Sequence, residues 1–275
     1  MIDSMPLSRE DGLPVRDSGP WAKEKLAYVA KYQQIFAQGM KNRWAERVYF
    51  DLLAGPGRCV DRETGDEFRG SPVLSLDAPF TSRVFIEEDP ILAEALRRRV
   101  GTEPQIINAD ANAEETVAAA REAISADGLG LAFVDNLGLD VPLDTLARLT
   151  NGRRIDLMIT VQVGDLTRNP RNVVAGREEP GRFEAFFGSR SWLAIFQAAG
   201  ERNLSAAETA NELLDFYGTQ LGRIGYPYVE HSVRVMRNSR NVALYRLVLA
   251  AKHERAVDFF RKIEVIDPMG QRRLF

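Results

Sequence analysis

The sequence predicts an α/β fold: a Rossmann-like, mostly parallel sheet with a helical insertion and a C-terminal antiparallel hairpin. Three observations predict it. Short apolar runs alternate with helix-like stretches from residue 47 to residue 163, the pattern of a doubly wound parallel sheet with right-handed crossovers. The first run, Val48-Tyr49-Phe50-Asp51-Leu52-Leu53, ends in an acid and then a glycine turn, Ala54-Gly55-Pro56-Gly57. Far downstream, residues 228–236 alternate and residues 243–250 are strongly apolar, which reads as a hairpin.

Taken in order, residues 1–17 are polar, carry Pro6 and Pro14, and are expected to form a flexible N-terminus. Ser18-Gly19-Pro20 opens a helix through about Gln38, with Leu26, Val29, Ala30 and Phe36 at helical spacing. Trp21 and Lys25 lie four apart on it. They read either as core packing plus a solvated charge or as one wall of a ligand cleft. The first strand follows. Its continuous apolar character fits a strand covered on both faces, and Asp51 falls at its carboxyl end, where open α/β sheets bind ligands.

Gly55 and Gly57 permit a tight turn and a close approach of ligand to backbone. A polar insertion over residues 61–69 separates this turn from the next helix, which Ser71 caps and Pro72 begins. Strand two, residues 83–86, ends in Glu87-Glu88-Asp89, and a helix then covers residues 90–100. Glu87 directly follows the apolar run, so it is placed to accept hydrogen bonds from ribose hydroxyls. Strand three, residues 105–108, leads to Ala109-Asp110-Ala111-Asn112. That segment either meets an adenine amino group or caps the Ala-rich helix over residues 113–125. Strand four, residues 131–136, carries Asp135 and Asn136 to the same end of the sheet. Strand five covers residues 155–163, and residues 18–163 together make up a Rossmann-like cofactor-binding core.

The alternation breaks over residues 164–225, read as a helical insertion that caps the cleft. Phe183, Phe186, Phe187, Trp192 and Phe196 supply an apolar face, and the arginines from Arg168 to Arg190 are interleaved with Glu178, Glu179 and Glu184. Ser205-Ala206-Ala207-Glu208 is a capping box for a helix to about Leu221, closed by Gly222 and Gly225. Residues 226–275 complete the sheet with the hairpin and a final helix over residues 254–262, and the tail is expected to dock through Leu274 and Phe275.

Composition narrows the function. The 275 residues carry a formal net charge of −3, which disfavours a large nucleic-acid footprint while leaving a local basic groove open. One cysteine, Cys59, and two histidines leave no disulfide framework and no zinc cluster. No apolar stretch reaches membrane-spanning length, and the N-terminus is polar with no signal-peptide core. The expectation is a cytoplasmic protein with no membrane partner. The glycine turn lacks the third glycine of a dinucleotide fingerprint and the Gly-Lys-Ser/Thr of a P-loop. It resembles instead the first motif of class I S-adenosylmethionine-dependent methyltransferases, in a variant with Leu53 in place of the first glycine.

Several further stretches resemble the three-Cys-motif partner proteins: Gly19-Pro20-Trp21 with Lys25-Leu26, Phe50 to Gly57, Gly70-Ser71-Pro72, Phe85-Ile86-Glu87, Asp110-Ala111-Asn112, Phe133-Val134-Asp135 before Leu137-Gly138-Leu139, Phe186-Phe187-Gly188 and Gly270-Gln271. The resemblance covers most of the chain. It implies a methyltransferase-type Rossmann fold and association with a separate protein that bears three cysteines and is similar to radical S-adenosylmethionine enzymes. Cys59 is therefore not expected to be a cluster ligand. The chain departs from the family at Asp135-Asn136-Leu137-Gly138, where Asp-Pro-aromatic-Gly is usual. Losing the aromatic removes a stacking surface and lowers the expectation of nucleobase methylation.

Three functions follow as expectations. The first is S-adenosylmethionine-dependent methyl transfer to an unknown acceptor. Ser71 and the turn Ala54-Gly55-Pro56-Gly57 would hold the methionyl end, Glu87 the ribose, and Asp110 or Asn112, on either side of Ala111, the adenine; Asp51 is counted with these cofactor-binding residues. Asp135, aided by Asn136, would orient or deprotonate the acceptor. The second is a partner subunit of the same fold without turnover. The third, resting on the arginines between Arg168 and Arg190, is nucleic-acid modification, against which the net charge argues.

Overall fold

The apolar runs build the centre of an eight-stranded sheet. The computed structural model describes residues 5–232, 235–237 and 243–263. The chain runs through β1 (Arg16–Ser18), α1 (Trp21–Met40), β2 (Arg47–Asp51), β3 (Arg58–Asp61), β4 (Glu67–Arg69), α2 (Ser71–Ser75), β5 (Ser82–Ile86) and α3 (Pro90–Val100). Then come β6 (Gln105–Ile107), α4 (Glu114–Glu122), β7 (Leu129–Asp135), α5 (Leu143–Thr150) and β8 (Arg154–Gln162). Five helices follow: α6 (Val163–Thr167), α7 (Pro170–Val174), α8 (Gly181–Phe187), α9 (Trp192–Glu201) and α10 (Ala206–Arg223). The chain continues with β9 (Tyr228–Glu230), β10 (Val235–Arg237), β11 (Ala243–Ala251) and α11 (Glu254–Lys262).

The sheet order is β10-β11-β8-β7-β2-β5-β6, with β9 also paired to β11. Strands β6, β5, β2, β7 and β8 are mutually parallel, and β11 enters antiparallel to β8. This is a mostly parallel, Rossmann-like sheet. Its chain order reverses at β2, between β5 and β7, so a crevice opens at the carboxyl ends of those strands.

Period-two alternation sorts the strand residues onto two faces. Val48, Phe50, Val84, Ala132, Val134, Leu157 and Ile159 enter one core, with α4, α5 and the inserted helices. Tyr49, Phe85, Leu131, Phe133, Met158, Leu247 and Leu249 enter the other, with α1 and α11. The parallel strands are thus apolar throughout because both faces are covered. Helix α5, which the sequence reading passed over, contributes Leu143, Leu146 and Leu149 to the first core.

The structure differs from the sequence expectations in four places. Residues 5–18 are tied down: β1 pairs in parallel with β3, Ser8 Oγ donates to Glu67 Oε2 at 2.6 Å, and Arg99 pairs with Asp11 at 2.8 Å. The polar stretch over residues 61–69 is the hairpin of β3 and β4, which with β1 makes a separate three-stranded sheet. Residues 164–225 are helical, yet Phe183, Phe186, Phe187 and Trp192 merge into the core of the main sheet, so the insertion has no separate core. The alternating stretch before the hairpin turn divides into β9 and β10, both antiparallel to β11. Of the segment Arg237 to Asn241 expected between the two hairpin strands, Arg237 ends β10 and the rest, like the tail docking through Leu274 and Phe275 and Gly270-Gln271, lies outside the described residues.

The glycine turn is packed as well as bent. Gly57 has φ +83°, and a Cβ there would stand 2.9 Å from Val73 Cγ2 and 3.0 Å from Leu96 Cδ1. Gly12 has φ +70° with nothing within 4 Å. Gly57→Ala is therefore expected to cost about 2–4 kcal/mol, from backbone strain plus overpacking, and Gly12→Ala only about 1 kcal/mol. Urea unfolding of the two variants checks this, and equal losses would contradict the packing argument.

Candidate functional site

The site is built where β2, β5, β6 and β7 end. After Asp51 the chain leaves the sheet through Leu52 and Leu53 and turns at Gly55, with φ +65°. The Gly55 N–H donates to Glu87 Oε2 at 2.7 Å, and Ala54 N–H to the Ile86 carbonyl at 2.9 Å. The turn after the first strand is therefore bolted to the tip of the second. Glu87 Oε1 accepts from Asp89 N–H at 3.0 Å, so the buried carboxylate is fixed at both oxygens.

Two adjoining cavities open there. The smaller, about 30 Å³, is bounded by Gly55, Pro56, Gly57, Ser71, Arg16 and Asp135. The larger, about 300 Å³, is bounded by Glu87, Glu88, Asp110, Asn112, Asp135 and Asp140, with Arg16, Leu53 and Ala111 also on its wall. Arg16 and Asp135 border both. The larger volume is at the lower end for small-molecule sites. Five carboxylates against one guanidinium favour a ligand that is cationic or rich in hydrogen-bond donors, and oppose a pyrophosphate.

The sequence-predicted residues separate into groups. Ala54, Gly55, Pro56, Gly57 and Ser71 border the smaller cavity, and Glu87, Asp110, Ala111 and Asn112 the larger. Asp51 borders neither: it is fully buried behind the turn, with the Tyr49 hydroxyl 3.2 Å from Oδ2. The side chain of Asn112 is committed to the fold, donating to the Asp140 carbonyl at 3.0 Å and accepting from Thr145 at 3.0 Å. Ser71 is the first residue of α2 rather than its cap, which is Gly70. Gly70 lies there because its N–H bonds the Gly57 carbonyl at 2.8 Å and a Cβ would approach that backbone to 3.1 Å.

The two residues expected to be catalytic also part company. Asp135 faces both cavities and accepts the Lys25 ammonium at 2.6 Å on each oxygen. Asn136 borders neither and is 1% exposed, its Oδ1 accepting from Val141 N–H at 3.1 Å as a brace for its own loop. Lys25 is not a solvated charge but 5% exposed. Its Nζ lies 5.3 Å from the Tyr245 ring, which in turn meets Trp21 at 6.3 Å. Helix α1 is thus a wall of the cleft, to which it also lends Leu26.

Arg16 is the residue that the sequence reading missed. It stands on β1, its guanidinium 3.8 Å from Glu87 and about 3.3 Å from where a Gly55 Cβ would lie. Nothing local marks it, because a long-range pairing of β1 with β3 puts it there. The arginines of the insertion are engaged otherwise: Arg182 pairs with Glu178 at 3.2 Å and Arg190 with Glu184 at 3.3 Å. Among the described residues no cluster could hold a metal ion, and no helix is long and apolar enough to cross a membrane.

No family model matches the chain, and no curated protein matches it. Its fold is similar to that of protein LPL1258 from Legionella pneumophila, at TM-score 0.51 and 10% identity over 86% of each chain. It is also similar to Trm1 from Pyrococcus horikoshii, solved with S-adenosyl-L-methionine, at TM-score 0.48 and 13% identity over 93% of this chain. The chain spans 61% of the length of Trm1. An O-methyltransferase from Bacillus cereus, solved with SAH, aligns at TM-score 0.45 and 10% identity over 86% of this chain and 84% of its own.

Burial pushes the Asp51 carboxyl up to about 7; the Ser71 hydroxyl pulls it down and the Asp135 charge pushes it further up. An acid that holds its proton more tightly when folded favours the folded state at low pH. That advantage fades as pH rises from 3.8 through about 7. Asp51→Asn has no proton to lose, so its stability relative to wild type is expected to improve by about 2–3 kcal/mol between pH 5 and pH 7. Chemical denaturation at both pH values tests it, and parallel pH profiles would refute the assignment.

Proposed function

We propose that the cleft binds S-adenosylmethionine and that the protein is a methyltransferase. The acidic lining supports this reading most directly. Glu87, Glu88, Asp110, Asp135 and Asp140 surround a cavity of about 300 Å³ at the switch point of the sheet, and this cofactor is a cation rich in hydrogen-bond donors. The residues fit it. Glu87 keeps lone pairs beyond those given to Gly55 and Asp89 for the ribose hydroxyls. Asp110 is free to accept from the adenine amino group, its Oδ1 being used only by Asn112 N–H. Ser71 and the turn at Gly55 and Gly57 border the place for the methionyl end, and Arg16 is the cation at hand for its carboxylate.

When bound, the cofactor supplies an electrophilic methyl group. The chain's own part is positioning and proton management. Asp135 orients an acceptor or takes its proton. Lys25 holds that carboxylate in a fixed pose, at 2.6 Å in a largely buried pair. The acceptor would reach Asp135 from the cavity that this residue borders with Leu137. Membership of the three-Cys-motif partner family is part of the same proposal. Within it a second reading, a partner subunit without turnover, is favoured by the Lys25 bridge, which occupies both Asp135 oxygens.

Calorimetry with S-adenosylhomocysteine tests the binding. The expected outcome is a micromolar Kd in wild type that Glu87→Ala and Arg16→Ala each weaken about tenfold or more, that is by at least about 1.4 kcal/mol. No binding at about 100 μM would end the methyltransferase reading. Asp135→Asn separates the two versions: it should abolish transfer and spare cofactor binding if the protein turns over. If no transfer is seen and co-purification of a three-cysteine partner outlasts the substitution, the subunit reading holds.

A further inference from the structure

A cavity larger than either of those in the cleft lies away from them. It has a volume of about 510 Å³ and sits at the opposite edge of the sheet, between α1 and α11. Leu129 begins β7, Arg154 begins β8 and Lys252 follows the antiparallel β11, so this edge is the amino end of the parallel strands. The candidate active site occupies their carboxyl ends, and the two cavities share no lining residue.

The walls are aromatic. Tyr32 and Phe36 come from α1, Trp44 from the segment after it, and Phe259 from α11. Phe259 is 42% exposed although it faces this hollow, and a large ring left half in water beside an apolar cavity is surface that a ligand would cover. Polar groups gather at the mouth. Arg154 stacks on Trp44 at 5.3 Å, and Lys252 is spent on the Gly225 carbonyl at 3.1 Å. Arg43 and Arg255 also border the cavity, and among the described residues neither has a carboxylate partner. The single acid, Asp156, is buried and accepts from Lys252 N–H at 2.9 Å. The mouth therefore carries an excess of positive charge over an aromatic interior.

The geometry points to a second binding site at this edge, for a small aromatic carboxylate whose ring enters between α1 and α11 and whose anionic group meets Arg43 and Arg255. Planar rings pack against the faces of Tyr32, Phe36 and Trp44. A guanidinium pair left without acid partners gains more from a carboxylate than from a hydroxyl, because the charge-assisted bond is roughly twice as strong.

Isothermal calorimetry on the full chain, with 1-naphthoate and neutral 1-naphthol as probes, tests this site. Naphthoate is expected to bind at least about tenfold more tightly than naphthol. Arg43→Ala with Arg255→Ala should abolish that preference and leave naphthol binding unchanged; both positions are exposed, so folding is spared. Ala256→Trp, which fills the cavity, should remove both ligands. S-adenosylhomocysteine should neither compete nor respond to these changes, so failure here is distinguishable from failure of the methyltransferase reading. Absence of naphthoate binding at about 1 mM, equal affinity for the two probes, or a preference that survives the double arginine variant would overturn the proposal.

Discussion

The bond from the Gly55 N–H to the Glu87 carboxylate is the constraint on which the cleft depends. It joins the turn leaving one parallel strand to the tip of its neighbour at 2.7 Å, inside a buried setting. A backbone amide bound to a carboxylate is a charge-assisted bond and is strong for its size. It also decides orientation. With Glu87 aimed at the turn, the acid and the glycines face one another across one hollow. Glu87 also borders the larger cavity. Gly57 closes the same turn against α2 and α3, so the mouth of the cleft is set by packing as well as by hydrogen bonding.

The second constraint is electrostatic. Lys25 and Asp135 are side chains of distant elements, and their contact at 2.6 Å forms deep in the wall of the cleft. A buried ion pair contributes little net stability, because desolvation cancels most of the attraction, yet losing one partner strands the other at a cost of several kcal/mol. Its value here is positional. The pair fixes α1 against β7 and delivers a carboxylate in one pose. Asp51 behind it is handled differently. With no cation in contact, it meets its surroundings partly by holding a proton, its carboxyl being pushed up to about 7 by burial. Two acids at the ends of adjacent strands thus have separate roles: one is paired and faces the cavity, the other is buried and borders no cavity.

Most of the sheet was legible in the sequence because buried parallel strands are short, continuous and apolar, and the chain from Val48 to Gln162 keeps that pattern. The capping box at Ser205 and Glu208 and the bounds of α11 were equally local and equally readable. What escaped was set by contacts remote in sequence. Residues 5–18 are polar and carry prolines, but β1 finds a partner in β3, more than forty positions away. Lys25 reads as a surface charge until Asp135 is brought to it. Asn136 reads as catalytic from its neighbour, but its side chain turns inward to brace the loop at Val141. Asn112 is likewise claimed by Thr145 and Asp140. Residue type and strand position locate the cleft; only tertiary contacts separate the side chains that face it from those that hold it up.

That separation bears on how the cleft is assembled. Its floor belongs to the sheet, but Arg16 belongs to the small sheet of β1, β3 and β4, and Lys25 to the helix that follows β1 directly. The two cations that meet Glu87 and Asp135, Arg16 and Lys25, therefore both come from the first 25 residues, while those two carboxylates come from the strand ends. The N-terminal strap is bound to the rest by Ser8 and Arg9 on Glu67 and by Asp11 on Arg99. Arg99 also donates to the Pro56 carbonyl at 2.7 Å, within the glycine turn itself. Displacing the strap would remove the guanidinium beside Glu87 and loosen the turn at once. Charge balance and turn geometry in this cleft are consequently one property, held by a segment whose own composition carries no sign of it.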